Sequence, residues 1–178
     1  MSNQVILWSM IILPWFTLFL MRKEDIKRLM PVGLFAALTS IIVVEAGQTL
    51  GWFIYGETAY PLKTPAYIFG LNIITTMWLF YFTYGRFWTY LAIDIVLNFG
   101  FIYLFHVYFL GSKGIFHEVG ITPWENALYA TIHGILTYGY QVWQKGALKQ
   151  SERTRTHMQP VLAKPLPKAQ GSPSEDDQ

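Results

Sequence analysis

Residues 87–110 read FWTYLAIDIVLNFGFIYLFHVYFL, with one carboxylate, Asp94, and one histidine, His106, among side chains that are mostly aliphatic or aromatic. At 1.5 Å per residue a helix of this length reaches roughly 36 Å, enough to cross a hydrocarbon layer of about 30 Å. A helix lying on a soluble protein would carry charge along its wet face every turn or so. This stretch does not, and it reads as a transmembrane helix.

The same reading extends to residues 4–21, 31–54, 65–84 and 124–143, each long and apolar enough to be a candidate span. The expected fold is therefore all-α: a polytopic transmembrane bundle of about five spans over residues 1–149, followed by a disordered tail over residues 150–178. Pro160, Pro165, Pro167 and Pro173 and the closing SEDDQ make that tail too polar and too broken to bury itself. Pro14 falls inside the first span, where a kink is expected. Thr122-Pro123-Trp124-Glu125 has the form of a capping box, and Thr64-Pro65 repeats its cap-then-proline half.

Composition agrees. Of 178 residues, 53% are hydrophobic and 13% charged, about half the charge that soluble domains carry. The 13 basic residues are unevenly spread: only Lys63 and Lys113 fall on one side of the expected spans, and the rest fall in 22–28, at Arg86 and beyond residue 143. The positive-inside rule then puts the N-terminus outside and the C-terminus in the cytoplasm of an integral cell-membrane protein. Trp8, Trp52, Tyr60, Trp88, Tyr108, Trp124 and Trp143 lie near span ends and suit interfacial belts.

With no cysteine, the chain has no disulfide or thiolate metal site, and a net charge of +2 gives no reason to expect nucleic acid. His117-Glu118 lacks the second histidine of a helical zinc pair, and no Gly-x-Ser-x-Gly or phosphate-cradling loop occurs. Neither catalytic residues, a metal nor a cofactor is expected. The lipid bilayer is the first partner, and Gly47-x-x-x-Gly51 and Ala130-x-x-x-Gly134 offer small faces for helix packing or self-association.

Charge at membrane depth is costly and normally turned inward. Glu45 and Gln48 in the second span, Asp94 and Asn98 in the fourth and His133 in the fifth are accordingly the candidate binding cluster. Counted from the cytoplasmic edge, Asp94 falls at about 10 Å, Asn98 and His133 at about 16 Å and Glu45 at about 21 Å. The same residues could simply tie helices together. His106 and His117 lie nearer the outer surface, where hydration is expected. Two function classes follow: a structural or interaction protein of the membrane, or a small-solute or proton-linked transporter with a midplane site.

The strings Leu13-Pro14-Trp15-Phe16, Lys27-Arg28-Leu29-Met30-Pro31 and Asp94-x-x-x-Asn98-Phe99, with the Glu45 span, resemble a family of small multi-pass membrane proteins of spore-forming Firmicutes. The resemblance covers about residues 4–145. It implies membrane location and multi-pass architecture only and carries no activity to transfer; an association with sporulation belongs to the structural reading if the resemblance holds.

Overall fold

The computed structural model describes the backbone of residues 2–162 and side chains as far as residue 147. It is mostly helical: α1 (Asn3–Phe16), α2 (Lys23–Thr49), α3 (Ile73–Thr83), α4 (Phe87–Gly100) and α5 (Pro123–Leu162). Tighter or wider helical turns extend several of these. A 3-10 turn, Thr17–Leu20, follows α1, a π-helical stretch, Ile68–Asn72, leads into α3, and another, Phe101–Leu110, continues α4.

Among the described residues, three helices are long and apolar enough to cross a membrane: Asn3–Leu20, Lys23–Thr49 and Phe87–Lys113. Only 11%, 33% and 22% of their apolar windows are buried within the protein. Phe19 and Leu20 are 86% and 80% exposed, and Val96 and Leu104 are each 70% exposed. So much outward apolar surface is consistent with a membrane location. Five spans go beyond these criteria. The apolar helix Ile68–Thr83 is shorter than the three, and α5 dilutes its apolar residues with Asn126, Thr131, His133, Thr137 and Gln141.

Three expected boundaries shift. The basic stretch from Lys23 to Arg28 forms the first turns of α2 instead of a loop, with Glu24 and Asp25 placed favourably at its positive N-terminal end. At the other end α2 stops at Thr49, not at 54. The Trp52 amide donates to the Gly47 carbonyl (2.8 Å) and the Gly51 amide to that of Gln48 (3.1 Å), with Gly51 at φ 72°. This is a Schellman cap, and it needs a residue that tolerates the left-handed region. The third shift concerns the tail: α5 runs on through 150–162, while 163–178 lie outside the described residues.

The core forms around the α2–α3 contact. Leu29, Val32, Gly33, Ala36, Ala37 and Val44 repeat at helical spacing and are buried on one side of α2, facing such residues as Ile73, Met77 and Phe80. Gly33 brings the helices close: a Cβ there would lie 3.1 Å from both the Ile73 carbonyl and Met77 Cγ. α1 packs on the π-helical stretch before α3. Pro14, lacking an amide hydrogen, leaves the Met10 carbonyl without its helical donor. That carbonyl and the one of Ile11 lie directly over Gly70, where any side chain would collide with them.

A two-stranded antiparallel sheet, not foreseen in the sequence, joins the segments after α2 and α4. β1 (Phe53–Tyr55) pairs with β2 (Phe116–Glu118) in the register Phe53↔Glu118 and Tyr55↔Phe116. The Phe53 ring turns back to fill the notch at Gly47, and Gly51 has left the helix. Gly47 and Gly51 therefore form no packing face for another helix within this fold.

The chain forms two compact units, Met1–Gln141 and Val142–Gln178. The first unit holds the core, the sheet and the cavities; in the second, the described residues continue α5.

Candidate functional site: a cavity between helices

Along α4 and its π-helical continuation, Tyr90, Asp94, Asn98, Ile102, His106 and Leu110 recur every fourth residue, and all but the half-exposed Asn98 are buried. In a straight α-helix such a stripe would wander by about 40° at each step. From Phe101 on, the wider π turns reverse that drift, so the stripe keeps facing inward as far as Leu110.

On the lower part of the stripe, Asn98 donates to Asp94 (2.9 Å) and the Tyr90 hydroxyl donates to the Gly134 carbonyl on α5 (2.8 Å). Gly134 has no side chain, and the Asp94 carboxylate occupies the space where a Cβ would stand. His133 Nε2 lies 2.6 Å from Thr39 Oγ1 on α2. The direction of that bond follows the imidazole tautomer, and the Thr39 hydroxyl also lies 2.8 Å from the Phe35 carbonyl within its own helix. Asn72 donates to Ser40 (2.7 Å), and the Trp78 indole donates to Thr17 (3.0 Å). The bonds from Tyr90, His133, Asn72 and Trp78 each join one helical segment to another.

Two adjoining cavities lie among these side chains. The smaller, of about 80 Å³, is lined by Tyr90, Asp94, Asn98, His133 and Thr137 among others. The larger, of about 480 Å³, reaches from His133 and Asn98 to Tyr55, Tyr67 and His106. Asn72, Asn98, Ala130 and His133 line both. The volume of the larger suits a small molecule.

The structure thus brings Asp94, Asn98 and His133 together on one cavity and leaves Glu45 and Gln48 out of it. In the adjoining larger cavity Ser40, Val43 and Val44 supply the wall from α2, and Glu45, one residue on, turns to the exposed side. A step of one residue rotates a side chain by about 100°, enough to carry it off a narrow face. Gln48 is partly buried and lines neither cavity.

His106 is the second departure. Far from being hydrated, it is 3% exposed, with the rings of Phe116, Phe101 and Tyr67 centred 4.5, 4.6 and 4.9 Å from its own. Neither ring nitrogen has a hydrogen-bond partner. Sequence reasoning passed over it because its depth was judged from span position alone, without the inward turn that the π segment imposes.

At the outer end, Asn126 donates to Glu118 (2.9 Å), and partial burial raises the Glu118 carboxyl above its ordinary value against the lowering effect of that bond. Nearby, Thr122 and Glu125 close the expected capping box. The Thr122 amide donates to Glu125 (2.9 Å), and the Glu125 amide donates to the Thr122 hydroxyl (3.3 Å). Among the described residues, no three of His, Asp and Glu come together as a metal site would require.

Comparison with family models, curated proteins and solved structures yields no match.

Proposed function

We propose that the chain is a multi-pass integral membrane protein of five spans, N-terminus outside and C-terminus cytoplasmic, whose bundle binds a small solute in the cavity between α2, α4 and α5. The carrying observation is the cavity of about 480 Å³ with Asn98 and His133 at one end and His106 at the other. A bundle that served only as scaffold would gain dispersion energy by closing such a space. Proton linkage loses support, because Glu45 stands outside the cluster.

A structural or interaction role is the second reading, and the resemblance to sporulation-linked membrane proteins would suit it. The pairing of Asn72 with Ser40, His133 with Thr39 and Tyr90 with Gly134 favours it, since each bond joins two helices. Mass spectrometry of small molecules extracted from the purified protein separates the two readings. A solute binder carries a molecule at a fixed stoichiometry that the cavity-filling variant Ala130→Phe loses while keeping its melting temperature. No molecule in either protein, or the same one in both, would defeat the binding role.

A further inference from the structure

The larger cavity has three properties that together restrict its ligand. First, no lysine, arginine, aspartate or glutamate lines it. Its polar groups are neutral, so it has nothing to balance an ionised ligand at membrane depth, where an unpaired charge is very costly. Second, Val43, Val96 and Tyr129 line it and are also exposed, Val96 by 70%. These lie on exposed faces of α2, α4 and α5, which on the proposed spans meet hydrocarbon, so a ligand would arrive from the bilayer. Third, Tyr55, Tyr67, Phe101 and Phe105 contribute ring walls, a surface that favours a flat partner.

Within those walls, His106 is a buried polar group whose two unpaired nitrogens are shielded by the surrounding rings, so a ligand oxygen reaches one of them when the imidazole turns toward the cavity that its ring lines. Buried polar groups are almost always hydrogen-bonded, and leaving one unpaired costs free energy that folding has to offset. A neutral imidazole carries one donor and one acceptor, so it can bond either a carbonyl or a hydroxyl oxygen. Close by, the Tyr55 and Tyr67 hydroxyls share one hydrogen bond (3.1 Å). Two hydroxyls have two protons, so one remains free for a further acceptor.

We infer that the cavity takes an uncharged, lipid-soluble molecule with a flat ring head bearing carbonyl or hydroxyl oxygens, as in a quinone or a phenol, and that His106 bonds one of those oxygens. This inference rests on the binding role proposed above and specifies its ligand.

The test is calorimetric titration of the full chain in lipid nanodiscs, with empty nanodiscs as the blank. The probes are menadione and methylnaphthalene, which share a ring system but differ in oxygen. Menadione is expected to bind saturably and at least about tenfold more tightly than methylnaphthalene, the loss of one good hydrogen bond being of that size. His106→Phe keeps the ring packing against Tyr67, Phe101 and Phe116 and removes both unpaired nitrogens. It should weaken menadione by about tenfold and leave methylnaphthalene unchanged. Without ligand, this variant should melt no lower than the native protein, which separates lost recognition from lost folding. Equal binding of the two probes, or menadione binding indifferent to His106→Phe, would overturn the ring-head assignment and leave the binding role standing. Binding of neither probe also overturns the assignment, while extraction from the Ala130→Phe pair decides the binding role separately.

Discussion

At the residue scale, the polar side chains within the apolar helices divide by whether the protein itself satisfies them. Asn72, Asn98 and His133 have partners; His106 has none. Gly134→Ala is expected to be among the most damaging single changes, because the new methyl meets the Asp94 carboxylate, and forced overpacking costs about 1–3 kcal/mol. Thermal unfolding in detergent checks this: a midpoint equal to the native one would mean that the carboxylate is not seated against α5. Glu118 offers a pH prediction. Its carboxyl is raised in the folded state from an ordinary 4.5, so the fold prefers the protonated form. The stability it contributes is full below that value and is lost as pH rises through the folded value. The melting temperature of the native protein should therefore fall relative to Glu118→Gln as pH is raised from about 4, and parallel curves would contradict the burial of Glu118.

At the element scale, caps and close approaches decide where helices end and how they meet. Thr122→Ala removes the hydroxyl that accepts from the Glu125 amide and should cost about 1 kcal/mol, read as a lower unfolding midpoint. Gly70→Ala should be worse, since its methyl strikes the backbone carbonyls of Met10 and Ile11, which cannot swing aside as a side chain could. The expected sign is loss of α1 docking, seen as faster proteolysis of the N-terminal helix; unaltered cleavage would show that α1 is held in some other way. The capping box could be read from four consecutive residues because its partners are local. The short β1–β2 pair could not. Its strands are three residues each and far apart in the chain, and their pairing depends on two helix ends lying side by side.

At the scale of the whole molecule, the open question is how many helices cross the bilayer, and the absence of native cysteine makes it testable. Single cysteines at Ser2, Thr58, Ser112 and Ser172 probe the two ends of the chain and two of its connections. With five spans and the N-terminus outside, an impermeant maleimide labels the first three in intact cells and misses the fourth. The β1–β2 pair and the bonds from Asn3 to Glu57 (2.8 Å) and to the Lys113 carbonyl (3.3 Å) hold Ser2, Thr58 and Ser112 at one end of the bundle, so these three should label alike. Labelling at Ser172 from outside would contradict the odd number of spans.

Hydropathy and length are sums over neighbours in sequence, so they were enough to identify apolar helices, their approximate limits and the charge asymmetry between their two sides. They also brought Asp94, Asn98 and His133 forward, because a charge or amide within an apolar run stands out whatever surrounds it. What a side chain faces is a different quantity: it depends on cumulative helical rotation and on which helices touch. Glu45 and His106 exchanged roles for that reason. One residue of rotation turned Glu45 outward from α2, and the π turns after Gly100 turned His106 inward. Rotation adds up along a helix, and a change in residues per turn leaves no mark in composition. Only the tertiary structure could decide which of the two lines the cavity.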